Sequence, residues 1–135
     1  NIPFRFPERH PFMTVAAQRL LAQENADWKM VERAFDYVWI EGKDPNLSWP
    51  EFCIYLGLPS DTAKPENPDT KAKLISNTNQ AKAAGAFGVP ALIVDQHCFW
   101  GLDTIDWVCD YLARPTMFTE PPYQNAANIP NGLAL

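Results

Sequence analysis

The chain has no C-x-x-C pair. Its three cysteines, Cys53, Cys98 and Cys109, stand far apart, so neither a dithiol redox motif nor a zinc knuckle can be built from them. Cysteines without a pairing pattern suit a reducing compartment, and small buried or half-buried side chains are their expected role. Histidine is scarcer still. Only His10 and His97 occur, neither with a Cys or His at ligand spacing, so no metal site is expected. Lys and Arg number 11 against 16 Asp and Glu, a formal charge of -5, and they form no cluster. That balance argues against nucleic acid and against an anionic membrane surface as partners. No apolar run approaches the length of a membrane span, and no signal peptide is visible at Asn1.

What is present suits a folded domain. Hydrophobic residues make up 47% of the 135 positions and aromatic residues 13%, enough for one core. The start, Ile2-Pro3-Phe4-Arg5-Phe6-Pro7, reads as extended, because each proline disfavours helix in the residue before it. From Met13 the period becomes helical, with Met13, Ala17, Leu20 and Leu21 on one side and Thr14 as a cap. The clearest helix follows. Asn25 is placed to cap it, Trp28, Val31, Ala34, Phe35, Val38 and Trp39 form one apolar stripe, and Gly42 ends it. Ser48-Trp49-Pro50-Glu51 reads as a capping box, flanked by Leu47 and Phe52 as a hydrophobic staple, before a short helix that stops at Gly57. Residues 59–68 read as a loop. A helix with a thin apolar face (Leu74, Ile75, Thr78, Ala81) runs over 70–84.

The period then switches to two short β runs, Ala91-Leu92-Ile93-Val94 and Cys98-Phe99-Trp100. Asp95-Gln96 lies between them as a hairpin turn, although a tight primed turn prefers Gly where Gln96 stands. Asp103 is placed to cap a last helix whose inner face is Ile105, Val108, Cys109 and Leu112. The tail, 115–135, has four more prolines and no periodicity, and reads as an extended arm or a disordered end. A lone two-stranded hairpin is marginal in water, which points to missing neighbours.

Gly85-Ala86-Phe87-Gly88-Val89-Pro90-Ala91-Leu92-Ile93-Val94-Asp95, followed by Phe99-Trp100-Gly101-Leu102-Asp103, resembles the second half of a thioredoxin fold. More narrowly it resembles the DsbA-like branch that holds 2-hydroxychromene-2-carboxylate isomerases and kappa-class glutathione transferases. There a G-V-P triplet opens the third strand, a hairpin follows, and G-x-D starts the last helix. Phe4-Arg5-Phe6-Pro7 with His10-Pro11-Phe12 resembles that family's link into its inserted helical domain. Trp39-Ile40-Glu41-Gly42-Lys43-Asp44 resembles its W-x-E-G-[KR]-D, and Thr78-Asn79-Gln80-Ala81 its T-x-E-A. The resemblance spans Ile2 to about Leu112. It implies an α/β, thioredoxin-like fold with an inserted all-α domain, of which this chain carries mostly helices plus one hairpin. The implied divisions are an extended linker (1–11), the helical insert (12–85), the ββα half (86–114) and the proline-rich tail (115–135). The family's N-terminal βαβ, with the S-P-[YF] serine that activates glutathione, has no match in the sequence and is expected upstream of Asn1. No catalytic residue is therefore assigned in this chain.

The resemblance further implies glutathione as cofactor. In a G-V-P opening the Val89–Pro90 bond is expected to be cis, which turns Val89 outward so that its N–H and C=O pair with the cysteinyl backbone of glutathione. An ordinary strand-start proline is the alternative that periodicity leaves open. Leu102 and Asp103, at a helix N-terminus, are placed for the γ-glutamyl carboxylate and ammonium, although Asp103 could equally be a simple cap. Leu102 stands where the family often has a small polar residue, so only its backbone contributes. Trp100 and Phe87, with His10 and Phe12 of the preceding loop, are candidates for an aromatic substrate pocket, and Trp39 reads rather as core. The implied activity is the isomerisation of 2-hydroxychromene-2-carboxylate to trans-o-hydroxybenzylidenepyruvate in aromatic degradation, by a cytoplasmic homodimer. A kappa-type transferase or peroxidase is the alternative enzyme, and a non-catalytic thioredoxin-fold binding module the alternative of another class.

Overall fold

Proline holds the first dozen residues out of helix, and the switch to a 3.6-residue repeat starts it. In the computed structural model, which describes residues 3–121, 123–126 and 129, the switch comes at α1 (Val15–Gln23). There follow α2 (Trp28–Trp39), α3 (Trp49–Leu56) and α4 (Pro68–Ala83). A hairpin of β1 (Ala91–Val94) and β2 (His97–Trp100) leads through a 3-10 turn (Leu102–Thr104) into α5 (Ile105–Ala113). A second 3-10 turn (Met117–Thr119) and the short α6 (Tyr123–Ala126) come after it. Two compact units divide between Thr78 and Asn79.

In the first unit Leu20, Ala34, Tyr37, Trp49, Phe52, Cys53 and Leu56 form the core. The expected stripe of α2 is only partly inward. Ala34 and Tyr37 are buried, whereas Trp28 and Phe35 are 78% and 61% exposed. The ring of Tyr37 packs edge-on against Phe52 and Tyr55, at 5.1 and 5.3 Å. An amphipathic tyrosine thus took a core place that an apolar count does not award it. Burial and the carboxylates of Glu51, Glu8 and Asp44 push its phenol up to about 12.

Several helix ends differ from expectation. Asp27 caps α2, accepting from the Met30 N–H at 2.8 Å, while Asn25 adopts a positive φ of 49° in the turn before it. Neither Thr14 nor Ser48 makes a side-chain cap bond. The Thr14 hydroxyl accepts from Gln18 instead, and Glu51 pairs with Lys43. Gly57 ends α3 at a φ of 87°, as a left-handed C-terminal residue. α4 starts at Pro68, two positions before the expected Thr70, because Asn67 accepts from the Thr70 N–H.

The second unit is built on the antiparallel hairpin, with Ala91 opposite Trp100 and Val94 opposite His97. Asp95 and Gln96 adopt φ of 46° and 71°, so Gln96 takes the left-handed conformation that a primed turn demands. Phe99 packs with Val108, Tyr111 and Met117. The expected inner face of α5 is corrected here. Val108 and Tyr111 are buried, Cys109 is exposed, and Ile105 and Leu112 face out in large part. Tyr111 stacks on Phe118 at 5.5 Å and donates to Asp95 at 3.4 Å, which rotates α5 away from Cys109. Asp103 is not the cap of α5, since Thr104 precedes its first residue, Ile105. The tail is also corrected. Met117 is buried and Phe118 packs against the hairpin residues His97 and Phe99, so the first part of the tail, around the 3-10 turn, is folded onto the unit. Residues 122, 127–128 and 130–135 lie outside the described residues.

Met117→Ala should therefore lower stability by about 2–4 kcal/mol in a denaturant titration, the usual cost of truncating a buried methionine. A loss under about 0.5 kcal/mol, the scale of a surface change, would mean that the tail does not pack.

Candidate functional site

The apolar stripe of α2 that does not enter the core lines a cleft instead. The cleft has a volume of about 240 Å³, and Phe35, Val38 and Trp39 of α2, Leu21 of α1, and His10 and Phe12 line it. Among the described lining residues, His10, Thr14 and Gln18 are the ones with polar side chains, and no Lys, Arg, Asp or Glu is present. Trp39, expected in the core, is thus a wall of the cleft. Its indole stacks on Phe4 at 5.8 Å and meets His10 edge-to-face at 5.6 Å. Phe6 closes the group, 5.6 Å from His10.

The leading segment is tied down by hydrogen bonds to the end of α2 and the loop behind it. Arg5 N–H donates to the Trp39 carbonyl at 2.7 Å, and Glu8 N–H to the Gly42 carbonyl at 3.0 Å. Gly42 allows this approach, because a Cβ there would meet the Arg5 side chain and the Phe6 carbonyl. Beyond Glu8 the tie is electrostatic. Arg9 donates to one oxygen of Asp44 from Nε at 2.9 Å and from Nη2 at 2.6 Å. The other oxygen accepts from the main chain and side chain of Asn46, both at 2.8 Å. Asn46 Nδ2 also donates to the Met13 carbonyl at 2.9 Å. The Asp44 side chain has no solvent exposure, while that of Arg9 is about half exposed. Burial works against the Asp44 carboxylate, but the Asn46 N–H, the Arg9 guanidinium and the Asn46 amide outweigh it and hold the carboxyl below its ordinary value. The sequence marks Asp44 only as the end of a motif, and its partner lies 35 positions away.

In the second unit the expected residues gather at the open end of the hairpin. Gly101 N–H donates to the Pro90 carbonyl at 2.9 Å, one step beyond the Ala91–Trp100 pair. This brings Val89-Pro90 beside Leu102-Asp103. The Val89–Pro90 bond is cis, as the triplet predicts, and Val89 is 89% exposed. Leu102 is 75% exposed, and Asp103 is exposed without an ion pair among the described residues. Phe87 and Trp100 form a tilted ring pair at 5.3 Å, and the Trp100 indole lies against Gly88 where a Cβ would have to go. Gly101 has a φ of 94°, and a Cβ on it would strike the Asp103 carboxylate. His10 and Phe12 therefore share one cleft in the first unit, and the other six expected residues share one exposed end of the second. Among the described residues no group of His, Cys, Asp and Glu could hold a metal ion, and no helix is long and apolar enough to cross a membrane.

The Asp44 clamp has a pH signature. Its carboxyl is lowered on folding, so its stabilisation is complete above the ordinary value of 3.8 and is lost as pH falls through and below it. Between about pH 5 and pH 3 the wild type should lose more thermal stability than Asp44→Asn does, measured by circular dichroism. Parallel losses would mean that Asp44 is not held as a carboxylate.

The DSBA-like thioredoxin domain model matches residues 1–113. Among curated proteins none matches the chain. Among solved structures, that of 2-hydroxychromene-2-carboxylate isomerase is similar, with a TM-score of 0.65 and 20% identity. The likeness covers 96% of this chain and 63% of that one, so this chain spans less than two thirds of that protein's length. The helices, the hairpin and the helix that follows it are those of a DsbA-like thioredoxin fold, and the chain belongs to the DSBA-like thioredoxin domain family.

Proposed function

We propose that this chain carries the ligand-side residues of a glutathione-dependent isomerase of aromatic degradation, acting on a 2-hydroxychromene-2-carboxylate type of substrate. The observation that carries the reading is the convergence of Val89-Pro90 and Leu102-Asp103 at one exposed hairpin end, held by the Gly101–Pro90 hydrogen bond. The similar solved structure supports the reading through its fold. A tripeptide fits this end on two counts. Val89 lies just outside the hairpin ladder, where its peptide group is placed to pair with an extended backbone. The carboxylate of Asp103 has no ion pair among the described residues and suits an ammonium, and it lies over Gly101, where no side chain stands in its way.

In this reading the main chain of Val89 holds the cysteinyl unit of glutathione. The Leu102 main chain and the Asp103 carboxylate hold its γ-glutamyl end. Phe87 and Trp100 would offer ring faces to an aromatic substrate. When bound, glutathione would supply a sulfur nucleophile for a conjugated double bond. No residue of this chain is assigned the activation of that thiol. The cleft of His10, Phe12 and Trp39 suits the flat apolar part of an aromatic ligand, since an apolar cavity of roughly 150 Å³ already takes benzene. We further propose a cytoplasmic homodimer, a reading that rests on the family resemblance alone.

Calorimetric titration with glutathione tests the hairpin end directly. Asp103→Ala should weaken binding about tenfold, the scale of one charge-assisted hydrogen bond. Gly101→Val should weaken it more, because the new side chain displaces Asp103. Equal affinity in all three proteins, or no binding by the wild type, would remove the glutathione reading. Conversion of the chromene with no net loss of glutathione would then separate an isomerase from a transferase.

A further inference from the structure

Asp44 touches none of the ligand-facing surfaces described above, yet two of the cleft's walls hang from it. Residues 9–13 carry His10 and Phe12. Among the described residues they make no main-chain to main-chain hydrogen bond. The last such bond before them is Glu8 to Gly42, and the first after them is Gln18 to Thr14. His10 packs against Trp39 and Phe6, and the hydrogen bonds that fix the segment lie at its two ends. Arg9 is bound to one oxygen of Asp44 at one end, and Met13 is bound through Asn46 to the other oxygen at the far end. Pro45, next to Asp44, is itself a lining residue of the cleft.

We propose that Asp44 is a positioning residue for the aromatic cleft: its two carboxylate oxygens, one on Arg9 and one on Asn46, hold residues 9–13 as a preformed wall and so set the affinity for a flat apolar ligand that Asp44 never touches. The proposal rests on the reading of the cleft as an aromatic site. The chemistry requires a carboxylate here. All four groups that face Asp44 are donors, two on each oxygen, and only an ionised carboxylate accepts on both sides. An asparagine of the same shape would turn an NH2 toward either Arg9 or Asn46 and release one end of the segment. A released segment must be re-ordered when a ligand binds, and that ordering cost appears as lost affinity.

The experiment uses the full chain and compares wild type, Asp44→Asn and Arg9→Lys. Arg9→Lys keeps the charge but replaces two donors in a fixed fork by one flexible ammonium. Two readouts are taken. The first is the affinity for 1-naphthol, a bicyclic neutral probe, by calorimetry. The second needs no ligand: the imidazole C–H resonances of His10, which lie in the ring currents of Trp39 and Phe6. The indole N–H signal of Trp49, in the core of the same unit and donating to the Thr62 carbonyl, is the internal control for folding. Both variants should shift the His10 signals toward those of an unstructured histidine and leave Trp49 in place. Their naphthol affinity should fall about tenfold, the scale of re-ordering two lining side chains. His10 signals and naphthol affinity that are unchanged in both variants would overturn the positioning role. Shifted His10 signals in a protein whose wild type binds no naphthol would retain Asp44 as the anchor of the segment but overturn the aromatic-ligand reading. Loss of the Trp49 signal in Asp44→Asn would mark unfolding of the first unit, and Arg9→Lys then decides.

Discussion

A carboxylate taken wholly out of water needs hydrogen-bond donors for both oxygens, and removing any of them leaves a buried charge short of compensation. Asp44 meets that demand with Arg9 and Asn46, and in doing so it joins two stretches of chain that are distant in sequence, 9–13 and 44–46. The consequence is local order where regular structure is missing. The segment between Glu8 and Thr14 contains a cis His10–Pro11 bond and no ladder of its own. Its path over the cleft follows from the clamp rather than from any secondary-structure preference. The Arg9–Asp44 pair is half exposed on the arginine side, so its worth lies more in geometry than in net stability.

The hairpin end of the second unit works by different means. There the main chain sets the geometry, through the Gly101–Pro90 bond and the missing side chains of Gly88 and Gly101. Trp100 settles onto Gly88 and Asp103 lies over Gly101, so the two glycines make room for those side chains to pack against the main chain. Large apolar groups stay exposed at this end, Phe87, Val89 and Leu102 among them. These features suit the proposed peptide-like ligand, since an extended backbone can add to an exposed strand edge. The tail beyond α5 closes the opposite side of the hairpin, where Phe118 and Met117 complete a core that the two strands and α5 leave open.

The helices and the hairpin were legible because their periods are strong. α2, α3 and the hairpin fall close to where the apolar pattern puts them, and Gly57 stops α3 as a left-handed residue should. The cis bond at Val89–Pro90 and the grouping of Val89, Pro90, Leu102 and Asp103 were legible through a motif. Faces were less so. A stripe of apolar residues states that a surface avoids water, but not whether a core or a cleft covers it. Trp39 and Phe35 therefore went to the cleft, while Tyr37, polar by type, went to the core. In α5 the same ambiguity turned Cys109 outward once Tyr111 found Asp95 and Phe118. Caps failed for a related reason. Ser48 and Thr14 have the right chemistry, yet Glu51 and Gln18 found other partners.

Composition and spacing by themselves determined the absence of a dithiol motif, the helical first half and the hairpin, because these depend on neighbours a few residues apart, while the G-V-P opening was read from a family resemblance. Tertiary structure alone decided which of two available faces each helix buries, the folding of the tail onto the hairpin, and the joining of Arg9 to Asp44 across 35 positions. Those outcomes turn on long-range packing and on the demand that buried charge be met. Neither is written in any window of sequence short enough to show a period.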